Sequence, residues 1–365
     1  MQGLHMRSGM AWKGKIMDTR ELMRYVGDAS QLFGVRDYRL IGSKADGMRA
    51  VDLFTSKGLT LTVLPDRGMD IARLNYRGVN LSFMSPAGPA GPAYFCEDGA
   101  RGFMRNFSAG FLTTCGLTYM GAACNDGGEA LGLHGVISNT PAYEVRPCVE
   151  SCETGRRLSV SGKVKEARLF GDKLVLERTV SCDSDGTGFK IHDAVENTGF
   201  GVSPLMILYH FNFGYPLLDR GSRPVLPSRN ITPRDDDAAK GLPEWREIPA
   251  PADNYREQVF FHDMTDDKNG NVTVGLINDR LELFVAITYK LSQLPRFTHW
   301  KSMGAGEYAL GLEPGNCHVL GRDRARADGS LQYIRPGETK RYDIDVGIYQ
   351  GAGEIGPALG KYSCT

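Results

Sequence analysis

The sequence lacks the patterns that mark several classes of functional site. It contains eight cysteines but no Cys-x-x-Cys pair, and its seven histidines include no His-x-x-x-His spacing. We therefore expect no bound metal, and the sequence indicates no other cofactor. No hydrophobic leader precedes Met17, so we expect a cytoplasmic protein whose cysteines stay reduced.

A long hydrophobic run and an excess of charge are also missing. The richest apolar stretch, Pro204–Phe213, is interrupted by His210 and Asn212 and is shorter than the roughly 18 residues of a membrane-spanning helix. Lys and Arg together number 43, as do Asp and Glu, so the net charge is zero. We expect neither a membrane nor a nucleic acid as partner, and a small, roughly neutral ligand fits better.

Helical periodicity is scarce. It is convincing only near the N-terminus, where Asp18 can cap a short helix over about residues 18–25. Without alternating strand and helix patterns, a doubly wound fold and a (β/α)8 barrel are disfavoured.

Period-two alternation of apolar and polar residues recurs throughout, and it is typical of strands with one buried face. The predicted strands are Leu59–Val63, Arg157–Val164, Lys173–Cys182, Phe189–Asn197, Ser203–Asn212, Val272–Ile277, Leu283–Ile287, Tyr308–Leu312 and Tyr342–Ile348. They indicate an all-β protein, a large antiparallel β-sandwich.

The division of the chain is simple. We find no repeat and no low-complexity linker, and therefore expect one domain over residues 1–365. Two long loops are predicted, Ser85–Pro92 and Leu226–Ala252, and loops of this length often line sites.

Three stretches carry polar side chains that chemistry could use. In Leu133-His134-Gly135 a ligand could approach His134, or the histidine could cap a turn. On the strand Ser203–Asn212, His210 and Asn212 share one face, which predicts either an internal polar network or a wet cavity. Glu313 ends an apolar strand before a proline, where it could serve as a base or pair with an arginine.

Taken in order, these motifs resemble the galactose mutarotase-like superfamily. The resemblance covers most of the chain and includes Val195-Glu-Asn-Thr-Gly199, Trp300-Lys301 and Arg335-Pro-Gly-Glu-Thr-Lys-Arg-Tyr342. The motif Leu64-Pro-Asp-Arg-Gly-Met-Asp-Ile71 is similar to a less characterised, aldose 1-epimerase-like branch.

The resemblance implies a β-supersandwich and an isomerase that interconverts sugar anomers. It implies His210 as the general acid at the ring oxygen, Glu313 as the base at the C1 hydroxyl and His134 as a sugar-binding residue. Such ring opening needs one acid and one base and no cofactor.

Further substrate-binding residues are expected around this pair. Arg105-Asn106 lies about where these enzymes carry a binding arginine, and the family's additional carboxylate is best matched by Glu257, with His262 and Asp263 as competitors. The remaining polar candidates are Arg67, Asp70, Asn212 and Lys301, and Trp300 could stack on a sugar or belong to the core.

Two other functions stay open at this point. One is a sugar-binding protein that keeps the cleft without turnover, and the other is a different sugar epimerase or isomerase. The expected partner is a monosaccharide or a derivative of one. Pairing of edge strands could also form a homodimer, although no particular edge is indicated.

Overall fold

The structure is a computed structural model that describes residues 9–12, 15–18, 24–152 and 155–362. The predicted N-terminal helix falls mostly on residues 19–23, which lie outside the described residues, while residues 24 and 25 form a turn.

Strands dominate the described part of the chain. In chain order they are β1 Gly9–Trp12, β2 Lys15–Asp18, β3 Gly34–Arg39, β4 Arg49–Phe54, β5 Leu59–Leu64, β6 Asp70–Tyr76, β7 Val79–Asn80, β8 Phe83–Met84, β9 Ala109–Gly110, β10 Leu112–Leu117, β11 Cys124–Asp126, β12 Glu129–Leu131, β13 Ala142–Cys152, β14 Gly155–Ala167, β15 Lys173–Asp183, β16 Gly188–Asn197, β17 Ser203–Phe213, β18 Arg223–Val225, β19 Ser228–Pro233, β20 Gln258–Met264, β21 Asn271–Asn278, β22 Leu283–Lys290, β23 Arg296–Gly304, β24 Glu307–Gly315, β25 Gln332–Ile334 and β26 Thr339–Gln350.

Helices are few and short. The α-helices of the described residues are α1 Gly99–Asn106, α2 Asp236–Gly241, α3 Arg322–Ala327 and α4 Ala352–Tyr362. Single 3-10 turns cover Ala29–Gln31, Ser43–Ala45, Pro92–Tyr94, Ile137–Asn139 and Leu242–Glu244. No helix among these described segments is both long and apolar enough to cross a membrane.

Two large antiparallel sheets form the molecule. The first has 12 strands, in the order β19-β20-β23-β24-β17-β10-β6-β5-β4-β3, with β25 beside β17 and β7 beside β6. The second has eight strands, in the order β13-β14-β15-β16-β26-β22-β21-β18. Three two-stranded sheets, β1-β2, β8-β9 and β11-β12, complete the described pairing.

The main core lies between the two large sheets. Leu61 and Phe211 of the first sheet and Leu176 and Val285 of the second belong to the same buried cluster. Each predicted strand corresponds to an observed one, because one face of each faces this core and the apolar residues recur at every second position. The prediction of an all-β antiparallel sandwich is confirmed.

The prediction of an irregular loop over Leu226–Ala252 was wrong in part. This segment contains strand β19, which pairs with β20 at the edge of the first sheet, and helix α2. At an edge, β19 buries no continuous apolar face, so its sequence shows no alternation. Asp235 caps α2 by accepting a hydrogen bond from the Ala238 amide at 2.9 Å.

Candidate functional site

A cavity of about 620 Å³ opens on the outer face of the 12-stranded sheet. Its floor consists of alternate residues on neighbouring strands, because successive side chains of a strand point to opposite faces. On β23 these are Thr298, Trp300 and Ser302, and on β24 they include Glu307 and Glu313.

The floor carries no side chain between Trp300 and Glu313, because Gly311 lies there. Gly311 pairs with Trp300 across the two strands, and a Cβ atom at Gly311 would lie 2.5 Å from Oε1 of Glu313 and 3.0 Å from Cβ of Trp300. Only glycine leaves room for both side chains at this point of the strand.

His210 and Glu313 meet at one end of this floor. They lie on the adjacent strands β17 and β24, and Nε2 of His210 is 3.3 Å from Oε1 of Glu313. The contact is not aligned as a hydrogen bond, so Oε1 of Glu313 has no partner among the described residues, and neither has Nδ1 of His210. Both side chains are almost fully buried, with 7% and 2% of their surface exposed.

Burial shifts both groups toward their uncharged forms. Desolvation, followed by the positive charge of His134 in its protonated form, lowers the pKa of His210 to about 3. Desolvation and the nearby Glu257 carboxylate raise the pKa of Glu313 well above its usual range. Burial thus favours the uncharged form of each group, a protonated Glu313 carboxyl beside a neutral His210 imidazole.

His134 stands beside the pair. Its ring centroid is 6.1 Å from that of His210, and burial lowers the pKa of His134 to about 4. The residue has a positive φ of 61°, and the next residue must be glycine, because a Cβ at Gly135 would lie 2.3 Å from the Gly116 carbonyl oxygen. The backbone is thus strained where it delivers the imidazole to the cavity.

Three further residues form a hydrogen-bonded chain along the cavity. Nη2 of Arg234 donates to Oε1 of Glu257 at 3.0 Å, and Nε1 of Trp300 donates to Oε2 of the same carboxylate at 2.7 Å. The Trp300 ring in turn packs edge-on against His210, with centroids 5.4 Å apart. This series of contacts therefore connects the Arg234 guanidinium, through Glu257 and Trp300, to His210.

The opposite wall is apolar. It is formed by Phe103 and Met104 of α1 and by Phe107, which follows the helix. Phe107 lies 5.5 Å from His210 between ring centroids. This wall excludes water from one side of the pair and presents a hydrophobic surface to a ligand.

Of the residues predicted for the site, His134, His210, Glu257, Trp300 and Glu313 line the cavity together. The competitors for the third carboxylate do not line it. His262 is buried and lies 2.6 Å from the Ser228 hydroxyl, while Asp263 is exposed and accepts a hydrogen bond from Asn230.

The other predicted residues lie elsewhere. Arg105 is exposed on α1, 3.7 Å from Asp98, and Asn106 is buried and donates to Asn139 at 2.6 Å. Arg67 donates to the carbonyl oxygens of Ala90 and Asn106, both at 2.9 Å, and so supports the loop and helix behind the apolar wall.

Three more candidates have internal partners. Asp70 accepts hydrogen bonds from the amide and the hydroxyl of Thr114 between the sheets. Asn212 donates to the His210 carbonyl oxygen at 2.9 Å, and Lys301 donates to the Glu244 carbonyl oxygen at 2.9 Å. Lys301 follows Trp300 and therefore points to the other face of β23.

Arg234 is among the cavity residues that the sequence did not reveal. It follows edge strand β19, in a segment with no periodicity to place it on either face. The unusual length and charge of that segment were the only signal. The length of the loop over Ser85–Pro92 gives the same kind of signal, and Ser85, Pro86 and Ala87 do line the cavity.

The described residues contain no group of three or more His, Cys, Asp or Glu side chains arranged to hold a metal ion. What the cavity offers instead is a buried group that can accept a proton next to one that can donate it, with further hydrogen-bonding groups around them.

Comparisons with solved structures agree with this fold. A protein of Klebsiella pneumoniae subsp. pneumoniae MGH 78578, described as a "putative aldose 1-epimerase", is 25% identical with a TM-score of 0.85, over 90% of this chain and 86% of that one. A galactose mutarotase-like protein from Clostridium acetobutylicum is 13% identical with a TM-score of 0.63, over 88% of this chain and 100% of the other. Galactose 1-epimerase from Lactobacillus acidophilus NCFM is 11% identical with a TM-score of 0.56, over 87% and 99% of the two chains.

Sequence comparison identifies the family. No curated protein matches the chain. A family model described as "Domain of unknown function (DUF4432)" matches residues 45–348, which is most of the chain. The protein therefore belongs to the DUF4432 family, and its fold is that of the galactose mutarotase-like superfamily.

Proposed function

We propose that the protein is a carbohydrate isomerase that interconverts the anomers of a free sugar. The observation that carries the proposal is the buried pair His210 and Glu313, 3.3 Å apart in an open cavity, with polar atoms that have no partner among the described residues. Unsatisfied buried polar groups are costly, and a ligand with several hydroxyl groups would satisfy them.

The pair supplies the acid and the base that hemiacetal opening requires. With the proton moved from Glu313 to His210, the carboxylate removes the proton from the C1 hydroxyl and the imidazolium delivers one to the ring oxygen. The bond between C1 and the ring oxygen breaks as the C1 carbonyl forms, and rotation about the C1–C2 bond precedes ring closure on either face. Closure reverses both transfers and restores the pair.

The neighbours of the pair would hold the sugar. His134 and Glu257 offer hydrogen bonds from two sides, and Trp300 and Phe107 offer ring faces to the apolar side of a pyranose. The proposed ligand is a monosaccharide or a derivative of one.

The decisive experiment compares wild type with Glu313→Gln by NMR anomer-exchange spectroscopy on aldoses, ketoses, uronates and sugar phosphates. We expect acceleration of exchange for one class, reduced about 10²- to 10⁴-fold in the variant, because the amide cannot take a proton. Glu196→Gln, the same change at an exposed position on the other sheet, serves as the control.

Two results would contradict the proposal. Sugar binding without acceleration across the whole panel would identify a binding protein that has the cavity but no turnover. Incorporation of deuterium from solvent at a carbon would identify a different epimerase or isomerase, because anomer exchange breaks no C–H bond.

A further inference from the structure

Four apolar side chains are exposed together at one end of the sandwich. Leu169 and Phe170 lie in the turn between β14 and β15, and Phe200 and Val202 lie in the turn between β16 and β17. Their exposed fractions are 81%, 98%, 100% and 60%. The two most exposed large apolar side chains of the described chain, Phe200 and Phe170, are both among them. These four residues are called the end patch below.

The two turns of the end patch lie side by side. Strands β15 and β16 pair up to Leu174 and Asn197, directly before the turns. Beyond this pair, the amide and the hydroxyl of Thr198 both donate to the Lys173 carbonyl oxygen, at 2.9 and 3.1 Å. Neighbouring strands of a sheet are about 4.8 Å apart, so the tips of the two turns form one surface.

Phe170 has a backbone conformation that disfavours a phenylalanine. Its φ is 60°, in the left-handed region, where any residue with a Cβ atom is less stable than glycine. Its ring is almost fully exposed and therefore gains no burial within the described chain that would offset this cost. Contact with another molecule would bury the ring and stabilise it.

The apolar area of the end patch matches that of a dimer interface. A phenylalanine side chain has an area of roughly 150–250 Å², so the two rings with the exposed parts of Leu169 and Val202 offer roughly 500–600 Å² per copy. A standard interface buries about 800 Å² per partner, of which about 65% is apolar in homodimers, or about 500 Å².

The charged residues around the end patch are paired with residues of opposite sign. Nη2 of Arg168 is 4.0 Å from Oδ2 of Asp172, and Nζ of Lys340 is 2.7 Å from Oε1 of Glu338, whose carbonyl oxygen accepts from the Asn197 amide. An anionic membrane or a nucleic acid is bound by an excess of Lys and Arg. A second copy carries the same balanced charges, so two patches can meet without an excess of like charge.

The described segments that adjoin the undescribed ones lie at the other end of the sandwich. Strand β3 begins where it pairs with Phe54, and the nearby Ser56 amide donates to the carbonyl oxygen of Ser184, beyond the far end of β15, at 2.9 Å. Helix α4 follows the end of β26 that pairs with Gly188, which is also at the far end. The described chain thus leaves the end patch open to a second molecule.

We propose that the end patch is the interface of a homodimer, in which two copies of this chain meet patch to patch about a two-fold axis. The copies associate through turns at the end of the sandwich and use no strand edge. The inference is independent of the proposed function. Val202 and His210 are eight residues apart on an extended segment, roughly 26 Å, so the interface leaves the cavity accessible in both copies.

Sedimentation velocity of the full chain over a range of micromolar concentrations tests the proposal. Wild type should sediment as a dimer that dissociates on dilution. Phe170→Ser combined with Phe200→Ser should raise the dissociation constant roughly 100-fold or more, because central aromatic residues carry most of the binding energy of an interface. Both side chains are exposed, so the double variant should keep the fold, and circular dichroism checks this.

The control is Tyr25→Ser, which removes an aromatic ring that is 75% exposed in the segment before β3. It should leave the dimer intact. A wild type that is monomeric throughout the concentration range, or a dimer that persists undiminished in the double variant, would overturn the proposal. Flotation of a monomeric wild type with phosphatidylcholine vesicles would also overturn it, and would identify a lipid surface as the partner.

Hydrogen exchange of wild type tests the same interface without a substitution. The backbone amides of residues 168–172 and 198–202 should exchange more slowly at concentrations where the dimer forms than after dilution to the monomer. Equal exchange of both turns in dimer and monomer would show that the copies meet elsewhere and would overturn the proposal.

Discussion

Two buried polar clusters lie on opposite faces of strand β17. Tyr209 points into the sandwich and joins an inter-sheet network with Arg178, Asp193, Asp70 and Thr114. The next residue, His210, points to the cavity and meets Glu313. The two clusters are equally buried and differ in how well their hydrogen bonds are satisfied.

The inter-sheet network is saturated. Arg178 donates to both carboxylate oxygens of Asp193, at 2.9 and 2.6 Å, and to the Thr114 hydroxyl at 2.8 Å. None of the buried polar atoms in this network lacks a partner within the described structure. The acid–base pair, in contrast, has such atoms on both of its residues. A saturated buried cluster stabilises a fold, whereas an unsaturated one beside a cavity indicates a ligand.

The largest effect on stability is expected from Arg178→Met. Removal of the guanidinium leaves the Asp193 carboxylate buried without its cation, which should lower the free energy of unfolding by about 3–5 kcal/mol. Urea denaturation measures the change. Arg157→Met, which loses only a surface contact of 4.0 Å to Asp183, should cost about 1 kcal/mol or less. Equal losses in the two variants would show that the network is not a stabilising element.

A matched pair of threonines separates the clusters more finely. The Thr114 hydroxyl donates to Asp70 at 2.7 Å and accepts from Arg178, whereas the hydroxyl of the equally buried Thr298 has no partner among the described residues. Thr114→Val should therefore cost about 1.5–3 kcal/mol, and Thr298→Val about 0.5 kcal/mol or less. A cost at Thr298 as large as that at Thr114 would contradict the distinction.

The smallest stability effect depends on pH. Burial raises the pKa of Glu313 in the folded protein, so ionisation of this residue costs stability increasingly as pH rises above its ordinary value near 4.5. Glu313→Gln should match wild type below that pH and exceed it, by on the order of 1 kcal/mol, near neutrality. Thermal unfolding between roughly pH 4 and pH 8, the range in which this linkage acts, measures the difference. The prediction is wrong if Glu313→Gln loses stability relative to wild type as the pH rises from acidic to neutral.

Much of the fold follows from local pattern. The alternation in Leu283–Ile287 or Tyr342–Ile348 predicts a strand and its buried face directly, because one face packs on the core. On β17, period-two alternation likewise predicts that the side chains of Tyr209 and His210 point to opposite faces of the sheet. For residues that lie near a motif but outside such a pattern, the sequence does not predict which way the side chain points.

The candidate site shows where this reasoning ends. Arg105 and Asn106 occur at a plausible point of the chain, yet the turn of α1 places neither in the cavity, and Phe107 lines it instead. Arg234 reaches the cavity from an edge segment that carries no alternation. Sequence position does not define the direction of a side chain in a short helix or at a sheet edge.

The sequence alone determined the alternating strands and the all-β class, because these depend on neighbours in the chain, whereas the pairing of an imidazole with a carboxylate was implied only by the family resemblance of its ordered motifs. Only the tertiary structure decided which polar residues are saturated inside the sandwich and which remain open in the cleft. It also decided the extent of that cleft, which includes both Glu313 and Glu307. Both depend on the register of strands distant in sequence, where a shift of one residue moves every side chain to the other face.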